Sequence, residues 1–418
     1  MKYVVFEDGA WKNFLPFTYT RFTGDMRAGV LKLRQRLGIY FDFEPENVVV
    51  RKDMENLYLE RHDQWMVNNF PSGKYTFVNS RLRFRSDDLD KGSIYDLIQK
   101  LKIGQKLVSG EEILAFKIKL KDDILCSAEE LFSLYEPLET IKTETENCLW
   151  NFTWELLEEN GNLIKDDYKL AFYEEDNFME IDPGVVAINP YDIWIGEGAT
   201  LKHGVVLDAS KGPIIIDENA SIMHNAVIIG PAFIGKNSLI KIGAKIYGDT
   251  SIGPNCKVGG EVCGSIFQAY SNKQHDGFLG KSYLGEWVNI GADTNNSDLK
   301  NNYKPIKVWF YPEKSKKDTG NLFMGAFIGD HSKIGINCSI NTGTVIGMGV
   351  NIFGSDLINH FVPSFSWGEA KNLVSYQIDS FLETTTIVKD RREKTLKNEE
   401  IELIKKIYTN IKEYEDKS

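Results

Sequence analysis

The chain has 418 residues, of which 42% are hydrophobic and 26% charged. It is longer than one average domain, so two or more folded units are expected, and its ordinary soluble balance argues against a disordered, collagenous or membrane-embedded protein. Lys and Arg number 49 against 60 Asp and Glu, a net charge of −11 with no long basic run, which argues against nucleic acid as a partner.

The segment MKYVVFEDGAWKNF has no apolar stretch of signal-peptide length, and no window approaches 18 uninterrupted apolar residues. A cytoplasmic protein with no membrane partner is the expectation. The five cysteines, Cys126, Cys148, Cys256, Cys263 and Cys338, show no CxxC spacing and are expected as free thiols, with no metal site.

Residues 1–180 read as an α/β domain. VVFEDG and YTFVNS have the composition of short buried strands, while SIYDLIQKL and SAEELFSLYEPL read as helices with Ser at or near the N-cap. From residue 185 a different rule takes over. Aliphatic residues recur every six positions at Ile216, Ile222, Ile228, Ile234, Ile240, Ile246, Ile252 and Val258, preceded by Ile195, Leu201 and Leu207. A second run holds Leu284 and Ile290, then Ile328, Ile334, Ile340, Ile346 and Ile352.

A period of six matches neither a helix (3.6) nor a strand (2), but it fits a β-helix in which each hexapeptide is one short strand and a turn. Three such strands make a triangular coil, and stacked coils close each other's buried face. The solenoid is expected over 185–368. Its polar interruptions, DASKGP and the longer stretch between Ile290 and Ile328, are expected to project as loops. A further break at Gly264–Leu284 marks a candidate functional segment. Beyond it, SFSWG reads as the solenoid exit, and Ile401, Ile404, Ile407 and Ile411 predict a helix in the C-terminal segment 369–418.

The string HDGFLGKSYLGEWVNIGADT, His275–Thr294, resembles the acetyltransferase half of bifunctional N-acetylglucosamine-1-phosphate uridylyltransferases. GGEV at Gly259, YSNKQHDGFLG and NIGADTNNSDLKNNYK are similar to the sugar-1-phosphate nucleotidylyltransferase/acetyltransferases of archaea and Bacteroidetes-type bacteria, the GlmU-like family. The resemblance implies a left-handed coil, assembly as a homotrimer, and acetyl transfer from acetyl-CoA to an amino sugar phosphate or nucleotide sugar. It implies His275 as general base, a role an imidazole with a pKa near 6.5 can fill.

By the same resemblance Phe278, Asn289, Asp298, Lys304, Lys307 and Glu261 are candidate substrate contacts, with Lys241 a weaker one. Phe278 lacks the phenol hydroxyl of some relatives, and Asp298 stands where relatives often carry Asn. Asn337, Ser339, Thr342 and Thr344 are candidate coenzyme-lining positions, alternatively simple corner residues.

The N-terminal part resembles a shortened, three-layer sugar nucleotidyltransferase domain. LPFTYTR keeps the Leu-Pro and the Arg, but the loop lacks the glycines that cradle nucleotide phosphates. Asn79, Ser80 and Arg81 replace the segment whose Asp holds Mg²⁺, so Mg²⁺ is expected only if this domain is active. Arg21 and Arg27 are candidate phosphate ligands, alternatively surface ion pairs with Asp25 nearby. Two further readings stay open: a nucleotidylyltransferase making a nucleotide sugar, and a non-catalytic trimeric scaffold that binds one.

Overall fold

The computed structural model describes residues 2–84, 93–178 and 182–415. Near the N-terminus, seven strands form one mixed sheet. They are β1 (Lys2–Phe6), β2 (Asn47–Val49), β3 (Met66–Val67), β4 (Gly73–Asn79), β5 (Gln105–Ser109), β6 (Glu112–Leu120) and β7 (Glu139–Lys142), in the spatial order β3-β2-β1-β4-β6-β5-β7. The alternation of side chains along β1 sends Val4 and Phe6 to one face of the sheet and Val5 to the other.

The helices are α1 (Leu33–Phe41), α2 (Glu55–Arg61), α3 (Ile94–Lys100), α4 (Phe132–Tyr135), α5 (Thr153–Ala171), α6 (Ile378–Asp390) and α7 (Asn398–Glu415). Ser93 caps α3, its side chain accepting from Asp96 N at 3.2 Å. SAEELFSLYEPL gives only the single turn of α4, flanked by turns.

The six-residue period becomes three stacked faces of parallel strands, wound as a left-handed β-helix. Successive coils align Ile216 with Ile234 and Ile252, Ile222 with Ile240 and Val258, and Ile228 with Ile246 and Val262. Each one is buried in the coil interior. Corners recur at the same step. Asn219, Asn225, Asn237, Gly243, Asp249 and Asn255 all have φ between 55° and 68°, the left-handed region that Asn, Asp and Gly tolerate best.

Two expectations change. The stacking does not break at Gly264–Leu284: Glu261 pairs with Phe278, Ile266 with Tyr283 and Asn272 with Asn289, so the coils continue although the aliphatic period lapses. Nor is the insertion before Ile328 a free loop. It forms an antiparallel hairpin, Lys307–Phe310 with Ser315–Asp318, whose Ile306, Val308, Phe310 and Tyr311 are buried. Alternate apolar residues between the lysines give it a face to bury.

One apolar core joins that hairpin, the N-terminal domain, one face of the β-helix and α7 through residues such as Phe17, Tyr283, Phe327 and Ile404. The interface is charged as well: Arg21 of the N-terminal domain pairs with Asp330 of the β-helix at 2.6 Å, and Asn160 of α5 donates to the carbonyl of Asp249 on the β-helix at 2.7 Å. Within the N-terminal domain Arg36 donates two hydrogen bonds to Asp167 of α5 (2.9 and 2.7 Å). Among the described residues no helix is long and apolar enough to cross a membrane.

Candidate active site

His275 sits on the corner between Asn272–Lys273, on one β-helix face, and Phe278–Gly280, on the next. Its backbone is held from three sides. The buried Lys273 ammonium donates to the His275 carbonyl at 2.7 Å and to that of Gly259 at 3.2 Å. Asp293 N donates to Asp276 O at 2.9 Å, and Phe278 N donates to Asn295 Oδ1 at 2.7 Å. Gly277 has φ +117°, and a Cβ there would lie 2.3 Å from the carbonyl of Thr294, so only glycine fits the turn.

The imidazole itself is exposed and makes no hydrogen bond among the described residues. Burial lowers the Lys273 ammonium to about 8, opposed in part by Asp276 and Asp293. Sequence reasoning passed over Lys273, whose single-letter context gives no hint that it is buried.

Phe278, half-buried, lies beside Glu261 in register on the face that begins at this corner. Both the Phe278 ring and Asp298 Oδ2 sit over Gly280, where a Cβ would meet them at 2.5 and 2.4 Å. Burial pushes the Asp298 carboxyl up, with Lys281 pulling the other way. Asn289 occupies the coil after Asn272 on the preceding face and lines a groove of about 380 Å³ that also reaches Gln274, next to His275.

The remaining candidates separate. Asn337 and Ser339 are exposed, and Ser339 continues the Phe278 face in register with Asn295. Thr342 and Thr344 do not line a surface: Thr344 is fully buried and donates to Asn341 O at 2.8 Å, and Thr342 is buried beside it. Lys304 and Lys307 are exposed on the insertion, and Lys241 packs under Gly259. None of these lysines makes a hydrogen bond or ion pair with His275, Phe278 or Asn289 among the described residues.

Arg21 and Arg27 are not surface ion pairs, because both are buried where the N-terminal domain meets the β-helix; Arg21 lines a cavity of about 450 Å³ there. Arg21 pairs with Asp330 at 2.6 Å. Burial disfavours its charge, yet Asp330 and Glu286 outweigh that and raise its pKa. Arg27 donates to the Val30 carbonyl and lies over the Phe233 ring.

The loop after β1 is likewise filled from within. Arg51 pairs with Glu7 at 3.0 Å, and Arg81 pairs with Asp8 at 2.6 Å and Glu112 at 2.8 Å. Asn79 Nδ2 also donates to Asp8 at 2.8 Å. The donor set at the end of β4 is thus an amide and a guanidinium already spent on Asp8 and Glu112, which does not fit Mg²⁺.

Residues 3–175 match the family described as sugar nucleotidyl transferase. An uncharacterized acetyltransferase, YaiX, of Escherichia coli O6:K15:H31 is 30% identical over 172 residues, 41% of this chain and 74% of the relative. The chain belongs to the GlmU-like sugar nucleotidyltransferase/acetyltransferase family. The bifunctional sugar-1-phosphate nucleotidylyltransferase/acetyltransferase of Sulfurisphaera tokodaii is 35% identical over 155 residues, 36% of this chain, and the match spans only 38% of that relative. A crystal structure of UDP-N-acetylglucosamine acyltransferase aligns at 15% identity and a TM-score of 0.30, over 56% of this chain and 82% of the other.

Proposed function

We propose that the β-helix is an acyltransferase that moves acetyl from acetyl-CoA to the amine of an amino sugar phosphate or nucleotide sugar, with His275 as general base. The observation that carries this reading is an imidazole whose backbone is fixed by Lys273 and the neighbouring coil while its ring stays exposed and unpartnered. Acetyl transfer needs such a group. As the amine nitrogen attacks the thioester carbonyl, the N–C bond forms, the amine proton passes to the imidazole, the C–S bond breaks, and the sulfur leaves with that proton.

Phe278, its in-register neighbour Glu261, and Asn289, one coil past Asn272, are the proposed sugar contacts, with Asp298 beside Phe278 over Gly280. Exposed Asn337 and Ser339 are the remaining proposed coenzyme contacts, and Lys304 and Lys307 the proposed phosphate contacts. A homotrimer would set a second copy's coils beside this face. We divide the chain, as expected from its sequence, into 1–180, 185–368 and 369–418, and place it in the cytoplasm.

The sugar nucleotidyl transferase match speaks for a second activity, transfer of a nucleotide to a sugar 1-phosphate. The pairing of Glu7 and Asp8 with Arg51 and Arg81 favours a structural role for that domain instead. Thiol release from acetyl-CoA with a panel of amino sugar phosphates and nucleotide sugars tests the main reading, and turnover by His275→Ala at the wild-type rate would reject it. Pyrophosphate release with each nucleoside triphosphate tests the second, with no release expected.

A further inference from the structure

The groove that holds Asn289 is closed on its outer side by the end of α6 and the turn after it. Four cations line it, Lys257 and Lys333 from the β-helix and Arg391 and Arg392 from the α6 end, and among the described residues no carboxylate does. Unpaired lysines on an open surface point into water at no cost. Four cations confined to one concavity raise each other's cost, which a bound polyanion removes. Two of the charges act on a third here: Arg392 is the largest influence lowering the Lys257 ammonium, and Arg391 adds to it, while Lys333 is brought down to about 8 by burial alone.

The neighbouring cavity makes the contrast. It measures about 450 Å³ and shares Tyr270 and Trp287 with the groove. Its Lys32 pairs with Asp25 at 2.9 Å, its Arg61 with Glu400 at 3.5 Å, and its Lys389 with the same Glu400 at 2.5 Å. On one side of the Tyr270–Trp287 wall Lys32, Arg61 and Lys389 meet carboxylates, while Lys394 and Lys397 do not; on the other, among the described residues, none of the four cations forms an ion pair, Lys333 donating instead to the Trp287 carbonyl at 2.5 Å.

That wall is aromatic. The two rings stack with centroids 4.3 Å apart and planes 11° from parallel. Trp287 is buried, and its ring lies near-parallel to that of His331 at 6.2 Å, so the half-buried Tyr270 is the outer member of the stack. Asn272 Oδ1 accepts from Arg392 at 2.8 Å and so fixes one guanidinium toward the groove. At about 380 Å³ the volume lies in the small-ligand range of roughly 300–1,000 Å³.

We propose that this groove binds a nucleoside 5′-diphosphate group, with the base on Tyr270 and the diphosphate among Lys257, Lys333, Arg391 and Arg392. Two molecules carry that chemistry, coenzyme A through its adenosine diphosphate portion and a nucleotide sugar. Only the use of the ligand rests on the acyl-transfer reading: the groove ends at Gln274, so either molecule would extend toward His275.

Calorimetric titration of the full chain with coenzyme A, UDP, dTDP, GDP and inorganic pyrophosphate is the test. Binding of at least one nucleoside diphosphate is expected, weakened about tenfold or more by the double substitution Lys257→Ala, Arg391→Ala, with His275→Ala binding as wild type does. Affinity for coenzyme A alone assigns the coenzyme as the source, and affinity for UDP, dTDP or GDP a nucleotide sugar. Pyrophosphate should bind more weakly, and Tyr270→Ala should erase that difference.

No binding in any arm, or unchanged binding by the double variant, overturns the proposal, and pyrophosphate binding as tightly as the best nucleotide overturns the base contact. Should the double variant unfold, Arg391→Glu alone, at an exposed position, carries the same test. If acetyl transfer proves independent of His275 while the titration holds, the acyl-transfer reading fails and this site stands.

Discussion

The loop after β1 and the corner at His275 each follow a strand and each carry the polar residues expected of a site, yet the protein treats them in opposite ways. In the first, the carboxylates and Arg21 meet internal partners: Glu7 with Arg51, Asp8 with Arg81, Arg21 with Asp330. In the second, the backbone is bonded from several directions and the imidazole is left over. Burying an ion pair is costly and removing one partner strands the other, so a charge spent this way holds structure and is not free for a ligand. A fixed backbone with an unspent side chain is the arrangement that preorganised chemistry needs.

The largest effect that would break this contrast is on turnover. Substituting His275→Ala should lower kcat for acetyl transfer by about 10²–10⁴-fold, the usual contribution of a positioned general base, while leaving the unfolding midpoint unchanged because the ring is exposed. Thiol release and a urea titration measure the two. A loss of activity that came with a lowered midpoint would make His275 a structural residue and remove the distinction.

On the other side, Asp167→Ala should cost about 3–5 kcal/mol in urea unfolding with the groove's ligand chemistry untouched. It leaves the buried Arg36 guanidinium unpaired, along with the Val30 and Leu31 amides that Asp167 also accepts from. A surface-sized loss below about 1 kcal/mol would mean that α1 and α5 are not held together by this buried pair.

Much of this architecture was legible beforehand, and the failures share a cause. The six-residue stripe predicts the stacked coils because each repeat bonds only its neighbours, so local spacing carries the fold. The matching recurrence of Asn, Asp and Gly from Asn219 to Asn255 was equally available and marks the corners. His275 and Phe278 are singled out by likeness of a short string alone. Arg21 and Arg27 were misplaced because their partners lie far off in sequence: Asp330 is 309 residues from Arg21.

The insertion was read as a loop because its lysines masked the alternation Ile306, Val308, Phe310, which only the facing domains make meaningful. The groove was invisible for a similar reason. Lys257, Lys333 and the Arg391–Arg392 pair converge only once the solenoid has stacked and α6 has folded back.

The corner can be sharpened through Lys273. Its folded pKa is about 8, against an ordinary 10.5, because burial disfavours the ammonium. Between those values the unfolded chain holds the proton that the folded chain has released, so stability rises with pH from about 8 to 10.5, and below 8 the cost of the buried charge is fully present. Wild type should therefore gain stability relative to Lys273→Met across that window in urea titrations at successive pH values. A difference that stays constant with pH would show that Lys273 does not hold the His275 carbonyl as a buried ammonium.

The smallest effect separates substrate chemistry from scaffold at the far end of the same face. Asp298 shares Gly280 with Phe278, and burial already favours its protonated form. Asp298→Asn should therefore change stability by less than about 1 kcal/mol, since it removes a carboxylate that burial disfavours without emptying its place. If an anionic sugar phosphate reaches past Phe278, removing that negative charge should lower KM by a few-fold with kcat unaltered, because the contact acts equally on ground and transition states. The effect should vanish for an uncharged amino sugar. Equal changes in KM for both would place the phosphate elsewhere and return Asp298 to the scaffold, on the same side of the comparison as Asp8 and Asp167.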